Sequence, residues 1–204
     1  VRLTILGEDG NRLVRKGETN GANLAADAAR WACSAQMAMV NGGGIRADYK
    51  AGRITFGDVI NVQPFSNDYH VVEITGAQLE KVVAFGCSAL KTEDLANNKK
   101  RELGDFVQPS GFRYTFSVPE DRVVSLDVLD EQNGQYVPVV PDKIYTIAVS
   151  QYSLGSYGDV LKQCPVLHYN VCVDNMATVR YIQEKLNGHV GQEYARPQGR
   201  VTIL

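Results

Sequence analysis

Histidine is scarce in this chain: His70, His168 and His189 are the three it has, and no H-x-H or H-E-x-x-H spacing occurs. A two-metal or zinc centre built from this sequence alone is therefore not expected. Cysteine is also sparse. Cys33, Cys87, Cys164 and Cys172 form no C-x-x-C, which argues against a zinc ribbon or a thioredoxin-like redox motif. Neither sign of charge dominates, with 21 basic against 23 acidic residues, so nothing suggests a nucleic-acid binder. The one dense basic run, Lys99-Lys100-Arg101, follows Asn97-Asn98 without aromatic interleaving and reads as a solvated loop. No apolar run approaches the roughly 18 residues of a membrane span. The N-terminal residues lack the charged and apolar regions of a signal peptide.

What is present is an ordinary globular composition, 44% hydrophobic and 22% charged over 204 residues. A chain of this size buries roughly 70% of its unfolded surface, and residues 1–204 read as one domain. Thr19 or Asn20 caps a helix over 23–36, where Leu24, Ala25, Ala28, Trp31, Ala32 and Ala35 share a face. Residues 37–40 read as a buried strand, 55–59 as a short helix capped by Thr55, and 69–74 as a strand. Thr75 caps a second long helix over 76–90. The polar stretch 91–106 reads as a surface loop. Strands are expected over 1–6, 111–118, 123–129, 136–139, 143–150 and 201–204, with Asn133-Gly134 as a hairpin turn. Residues 155–159 read as a Gly/Ser loop. Asp174 caps a last helix over 175–186 that buries Met176, Val179, Ile182 and Leu186. Interleaved helices with hairpins imply an α+β domain: a mixed or antiparallel sheet with three main helices. Cys33 and Cys87 fall in apolar helical patterns and read as buried thiols. Cys164 and Cys172 flank the short loop 165–171, and a disulfide across it stays open.

The stretch most suggestive of chemistry is Asn41-Gly42-Gly43-Gly44-Ile45-Arg46. Glycines directly after a buried strand let the backbone approach a ligand or another segment closely. They also leave backbone N–H groups free to face an anion, and Arg46 adds a planar fork suited to phosphate. The spacing is neither a Walker A loop nor G-x-G-x-x-G, and from spacing alone a flexible turn with a surface arginine is an equal reading.

Asn41–Arg46 resembles the NGGGIR signature of the C-terminal domain of the 5′-nucleotidase / UDP-sugar hydrolase family. Other segments resemble that family in the same order. They are Glu18-Thr-Asn-Gly-Ala-Asn-Leu-Ala-Ala-Asp-Ala28, Thr55-Phe-Gly-Asp-Val59 with Gln63-Pro-Phe65, Val72-Glu-Ile-Thr-Gly-Ala-Gln-Leu79 and Phe106-Val-Gln-Pro-Ser-Gly111. The resemblance implies a nucleotide- or nucleoside-recognition domain with no catalytic residue and no metal of its own. Two divalent ions and a His/Asp pair would belong to an N-terminal calcineurin-like domain of the same protein, whose G-N-H-[DE] motif this chain lacks. Carried over residue by residue, Asn41 would lie on the base side, with Gly43 and Gly44 in the same loop, and Arg15 and Arg46 toward phosphate. Phe65 would be one of two rings sandwiching the base, and Asp159 would hold the ribose hydroxyls. The second ring is Tyr152 or Tyr157, with Tyr152 favoured over the strictly aligned Ser153 because a serine cannot stack. The resemblance implies a periplasmic or cell-surface 5′-nucleotidase. A UDP-sugar hydrolase, a 2′,3′-cyclic nucleotide phosphodiesterase, an NAD pyrophosphatase and a non-catalytic nucleotide-binding module are alternatives that share the domain.

Overall fold

The computed structural model describes residues 1–7, 10–91, 93–94, 99–100 and 102–204. Residues 8–9, Asn97-Asn98 and Arg101 of the basic run lie outside the described residues. In chain order the elements are α1 (Asn20–Ala32), β1 (Met37–Asn41), α2 (Phe56–Val62), β2 (Asp68–Thr75) and α3 (Gly76–Cys87). The two-residue strands β3 (Glu93–Asp94) and β4 (Lys99–Lys100) follow, then β5 (Val107–Ser110), β6 (Phe112–Ser117), β7 (Arg122–Asp130), β8 (Gln135–Pro138) and β9 (Ile144–Ser150). The chain ends with α4 (Gln151–Leu154), β10 (Val166–Val173), α5 (Asp174–Arg180) and β11 (Val201–Ile203). Among the described residues three sheets result: a five-stranded one ordered β10-β2-β9-β1-β5, a four-stranded one ordered β11-β6-β7-β8, and the β3-β4 pair.

The five-stranded sheet is covered on both faces, which is why its strands are apolar at successive positions rather than alternate ones. All five residues of β1 are buried. Strand alternation divides them: Ala38 and Val40 join one core with α1, Tyr69, Val71 and Ala148, while Met37 and Met39 join a second with α3, Val72, Ile74, Ile147 and Val149. The second core also takes Phe112, Tyr114 and Phe116 from the four-stranded sheet. Helix starts follow their caps. Thr19 accepts from the Ala22 N–H, and Thr55 with Asp58 and Thr75 with Gln78 form complete capping boxes.

A buried carboxylate network ties α1 to the C-terminal strand of the other sheet. Glu18 accepts from Asn23 Nδ2, Gln198 N, Arg200 N and Val201 N. Asp27 takes both ends of the Arg200 guanidinium at 2.8 and 2.7 Å, together with Ser110 Oγ and Tyr194 OH.

The helix expected over 23–36 begins earlier and ends at Ala32, because Ser34 takes a left-handed turn at φ 49°. The Asn133-Gly134 hairpin joins β7 to β8 as expected. Other expectations are corrected. Residues 1–6 contribute only the bridge Leu3–Tyr49. The strand expected over 111–118 is β6, and Gly111, at φ 74°, separates it from β5, which was not expected. The stretch 91–106 ends in the core, with Phe106 fully buried and Asp105 nearly so. Residues 165–171, read as a loop, belong mostly to β10, an edge strand whose exposed residues mix apolar and polar and whose pairing shifts register twice. Met176 is exposed; Asp174, Asn175, Ala177 and Thr178 are the buried residues of α5, which passes into a π turn over Tyr181–Lys185 that buries Ile182 as expected. Cys164 lies in the second core while Cys172 packs against the first, so the sheet separates them, and all four cysteines are thiols.

Replacing Arg200 by Met should cost about 2–4 kcal/mol in urea unfolding, because it leaves the largely covered Asp27 carboxylate without its buried cation. A second expectation concerns pH. His70 is buried, accepts the Asn170 N–H through Nδ1, and is held below its ordinary range by burial, against a weaker opposing pull from Asp68. The unfolded chain takes up this proton first, so its contribution to stability falls as pH drops through about 6.5 and levels off below the folded value. Unfolding measured between pH 7.5 and 5 should show this loss, and His70→Gln should flatten it.

Candidate functional site

β1 and β9 lie side by side and parallel, the only parallel pair among the described strands of the larger sheet. Their carboxyl ends therefore open on one edge, where chain segments diverge and leave room for a ligand. The glycine turn Gly42–Gly44 leaves β1 there, and α4 leaves β9, started by Ser150, whose Oγ accepts the Ser153 N–H. β2 runs antiparallel to β9 with Tyr69 opposite Ser150, so the turn leading into β2, with Phe65, reaches the same edge.

The glycines serve close approach. A Cβ on Gly42 would sit 2.1 Å from the Val14 carbonyl oxygen, and one on Gly43 would sit 2.9 Å from Gly104 Cα. Their N–H groups are not free for an anion: Gly42 donates to Phe106 O at 2.8 Å and Gly43 to Gly104 O at 2.7 Å. This corrects the expectation of an N–H cradle, so anion recognition falls to side chains. Asn41 is buried, and its Nδ2 donates to Gly104 O at 3.3 Å. Its Oδ1 would lie 3.0 Å from a Cβ on Gly44. It braces the turn from beneath.

The side chains that reach the surface are Arg46, Phe65 and Tyr152. Phe65 is 57% exposed and Tyr152 49%. The Arg46 guanidinium lies 5.9 Å from the Phe65 ring centre and donates to Gly43 O. Arg15, set against Gly42 by the packed Val14 carbonyl, is largely buried with its Nε unpartnered. Burial, then Arg12 and Arg46, lower its hold on its proton, while Glu102 3.9 Å away and Tyr152 partly restore it. Arg12 shares Glu102 at 2.9 Å. Burial and the neighbouring Asp105 carboxylate push the Tyr152 phenol above its ordinary range. Asp105 itself is buried, accepts from Ser156 Oγ at 2.8 Å, and keeps Oδ1 without a hydrogen-bond partner.

The two tyrosines differ in burial. Tyr157 is fully buried, 5.7 Å from the Phe85 ring in the second core, whereas Tyr152 presents its ring to solvent. Asp159 projects outward from a left-handed turn, at φ 65°, and pairs with Lys162 rather than with either arginine. Arg15, Asn41, Gly43, Gly44, Arg46, Phe65 and Tyr152 thus gather at one edge, and Asp159 stands apart by its described contact. Glu102, Gly104 and Asp105 were missed, since they sit in the polar stretch read as a loop; the apolar Phe106 after them is the one signal that this end turns inward. The site is open: none of the clefts of about 800, 500 and 430 Å³ is lined by these residues.

Comparison with known proteins decides the family. The model of the 5′-nucleotidase C-terminal domain matches residues 4–163. The chain belongs to this family. The trifunctional nucleotide phosphoesterase protein YfkN of Bacillus subtilis is 36% identical over 167 residues, 78% of this chain and 11% of that protein. The 5′-nucleotidase precursor of Thermus thermophilus superposes with a TM-score of 0.81 at 30% identity, over 100% of this chain and 38% of that one. The NAD nucleotidase of Haemophilus influenzae shares the fold, with a TM-score of 0.74 at 20% identity over 98% of this chain and 35% of that one. The chain thus spans a minor part of the relatives it matches. The fold and the NGGGIR turn are those of a 5′-nucleotidase C-terminal domain.

Gly42→Ala should cost about 1–3 kcal/mol in thermal unfolding, because the new methyl meets a backbone carbonyl that cannot swing aside. Gly57→Ala, where a Cβ meets nothing closer than Thr55 Oγ1 at 3.7 Å, should be neutral or slightly stabilising.

Proposed function

We propose that this chain is the nucleotide-recognition half of a periplasmic or cell-surface 5′-nucleotidase, a protein that hydrolyses nucleoside 5′-phosphates. The observation that carries the reading is that Arg12 and Arg15 share Glu102, with Arg46 close enough to act on Arg15, beside two solvent-facing rings. Three guanidinium groups outnumber the nearby carboxylates Glu102 and Asp105, and the one at Arg15 is largely buried. A phosphate would relieve this excess of positive charge, and Arg forks suit phosphate geometry. Phe65 and Tyr152 would take opposite faces of the base, which tolerates any base because each has a π face. Asn41, Gly43 and Gly44 would fix the turn beneath, and Asp159, freed from Lys162, would accept from the ribose hydroxyls.

Hydrolysis would belong to an N-terminal calcineurin-like domain carrying two divalent ions. The donors in this chain do not fit such a pair. Its one Asp-x-His spacing, Asp68-Tyr69-His70, lies in β2, where the His70 Nδ1 is already an acceptor. Among the described residues no three His, Cys, Asp or Glu side chains cluster as metal ligands. What this chain would supply is orientation: holding the nucleoside lowers the entropic part of the barrier, and an edge-on, open site suits closure by a second domain. Among the described residues no helix is long and apolar enough to cross a membrane.

Titration of this chain with adenosine and with its 5′-monophosphate tests the reading. Phe65→Ala should weaken both ligands alike, by about tenfold, in line with roughly 1–3 kcal/mol per stacked base. Arg46→Ala should weaken only the monophosphate. Equal loss of both ligands in Arg46→Ala, or no loss in Phe65→Ala, would overturn it. Both side chains are exposed, so thermal stability should stay within about 0.5 kcal/mol and separate binding from folding.

A further inference from the structure

Cys172 has a thiol neighbour on its own side of the sheet. It stands directly across from Tyr69 in the β10–β2 ladder, and residues opposite one another in a sheet project to the same face. Tyr69 points into the first core, where Cys33, the residue that ends α1, is also buried, and Cys172 packs against that core. Two residues beyond Cys172, α5 begins and lies across α1, with the Trp31 and Tyr181 rings 5.8 Å apart and Arg180 over Trp31 at 5.5 Å. The end of α1 and the end of β10 are thereby held together, and Cys33 and Cys172 are neighbours on this face of the sheet. Nothing in the nucleotide site uses either of them.

We propose that Cys33 and Cys172 form an intramolecular disulfide when the protein meets a disulfide oxidant such as oxidised glutathione. The chemistry has a defined direction. Cys172 is the partly accessible thiol, on an edge strand, and the neighbouring Cys33 thiol with the nearby Arg180 cation favours its thiolate. That thiolate attacks one sulfur of glutathione disulfide, forming a mixed disulfide and releasing one glutathione thiolate. Cys33, held buried and protonated, loses its proton as it attacks the Cys172 sulfur and expels the second glutathione. Two protein thiols are oxidised to one disulfide, one glutathione disulfide is reduced to two thiols, and no other reductant or oxidant is required. The cross-link would staple the edge strand β10 to α1 and close a long loop, the arrangement in which a disulfide restricts the unfolded chain most.

The test equilibrates the reduced 204-residue chain with excess oxidised glutathione and then counts thiols after denaturation. Four thiols should fall to two, with a mass loss of two hydrogens and a proteolytic peptide joining Cys33 to Cys172. The oxidised form should melt several degrees above the same sample in dithiothreitol, and Cys33→Ser should abolish that difference while Cys164→Ser keeps it. Four thiols after oxidation, a stable glutathione adduct on Cys172, or a link through Cys87 or Cys164 would overturn the proposal. The peptide map on the unaltered chain decides even if a serine variant folds poorly.

Discussion

The parallel pairing of β1 with β9 in the middle of an otherwise antiparallel sheet governs where chemistry can occur in this molecule. An antiparallel neighbour would have sent one of the two chain ends to the far side. Because both strands leave by the same edge, the glycine turn and α4 start side by side, and the turn into β2 joins them. Burial on both faces makes that edge rigid. β1 contributes side chains to two cores at once, so its end cannot shift without disturbing both. The turn that follows inherits this fixed origin.

The turn's own backbone is spent on the protein. Gly42 and Gly43 donate to the segment before β5, and the space their missing Cβ atoms leave is filled by Val14 and Gly104. Three sequence-distant segments are clasped this way, and each brings charge. Arg15 comes with Val14, Glu102 and Asp105 flank Gly104, and Arg46 ends the turn itself. Close backbone packing thus produces an electrostatic result, a partly desolvated group of guanidinium ions with too few carboxylates. Burial strengthens each charge interaction in it relative to water.

Much of the fold was legible because its signals are local. Caps such as Thr19, Thr55 and Thr75 act within four residues, and the Asn133-Gly134 turn needs only its own backbone. Strand β10 was not legible: it is an edge strand with two register shifts, so its residues show neither alternation nor continuous burial. Gly42 could be read as a close-approach residue, but not that it meets Val14, since that contact depends on tertiary packing. The partner of Cys172 was hidden for the same reason. Sequence proximity left Cys164 open as a partner, whereas packing puts Cys164 in the second core and Cys172 against the first.

The left-handed run Tyr157-Gly158-Asp159, at φ 58°, 61° and 65°, shows how site and core constrain one another. Such backbone costs a non-glycine residue about 1–2 kcal/mol, and two of these three are not glycine. The cost at Tyr157 is offset by complete burial of its ring against Phe85, worth roughly 1.5–3 kcal/mol for a large side chain. With Tyr157 locked inward, the chain before it is fixed in path, and Ser156 and Tyr152 both meet the same buried carboxylate, Asp105. One tyrosine anchors the segment so that the other can stay exposed without being loose. Asp159, at the end of the same left-handed turn, projects outward and pairs with Lys162 at the surface.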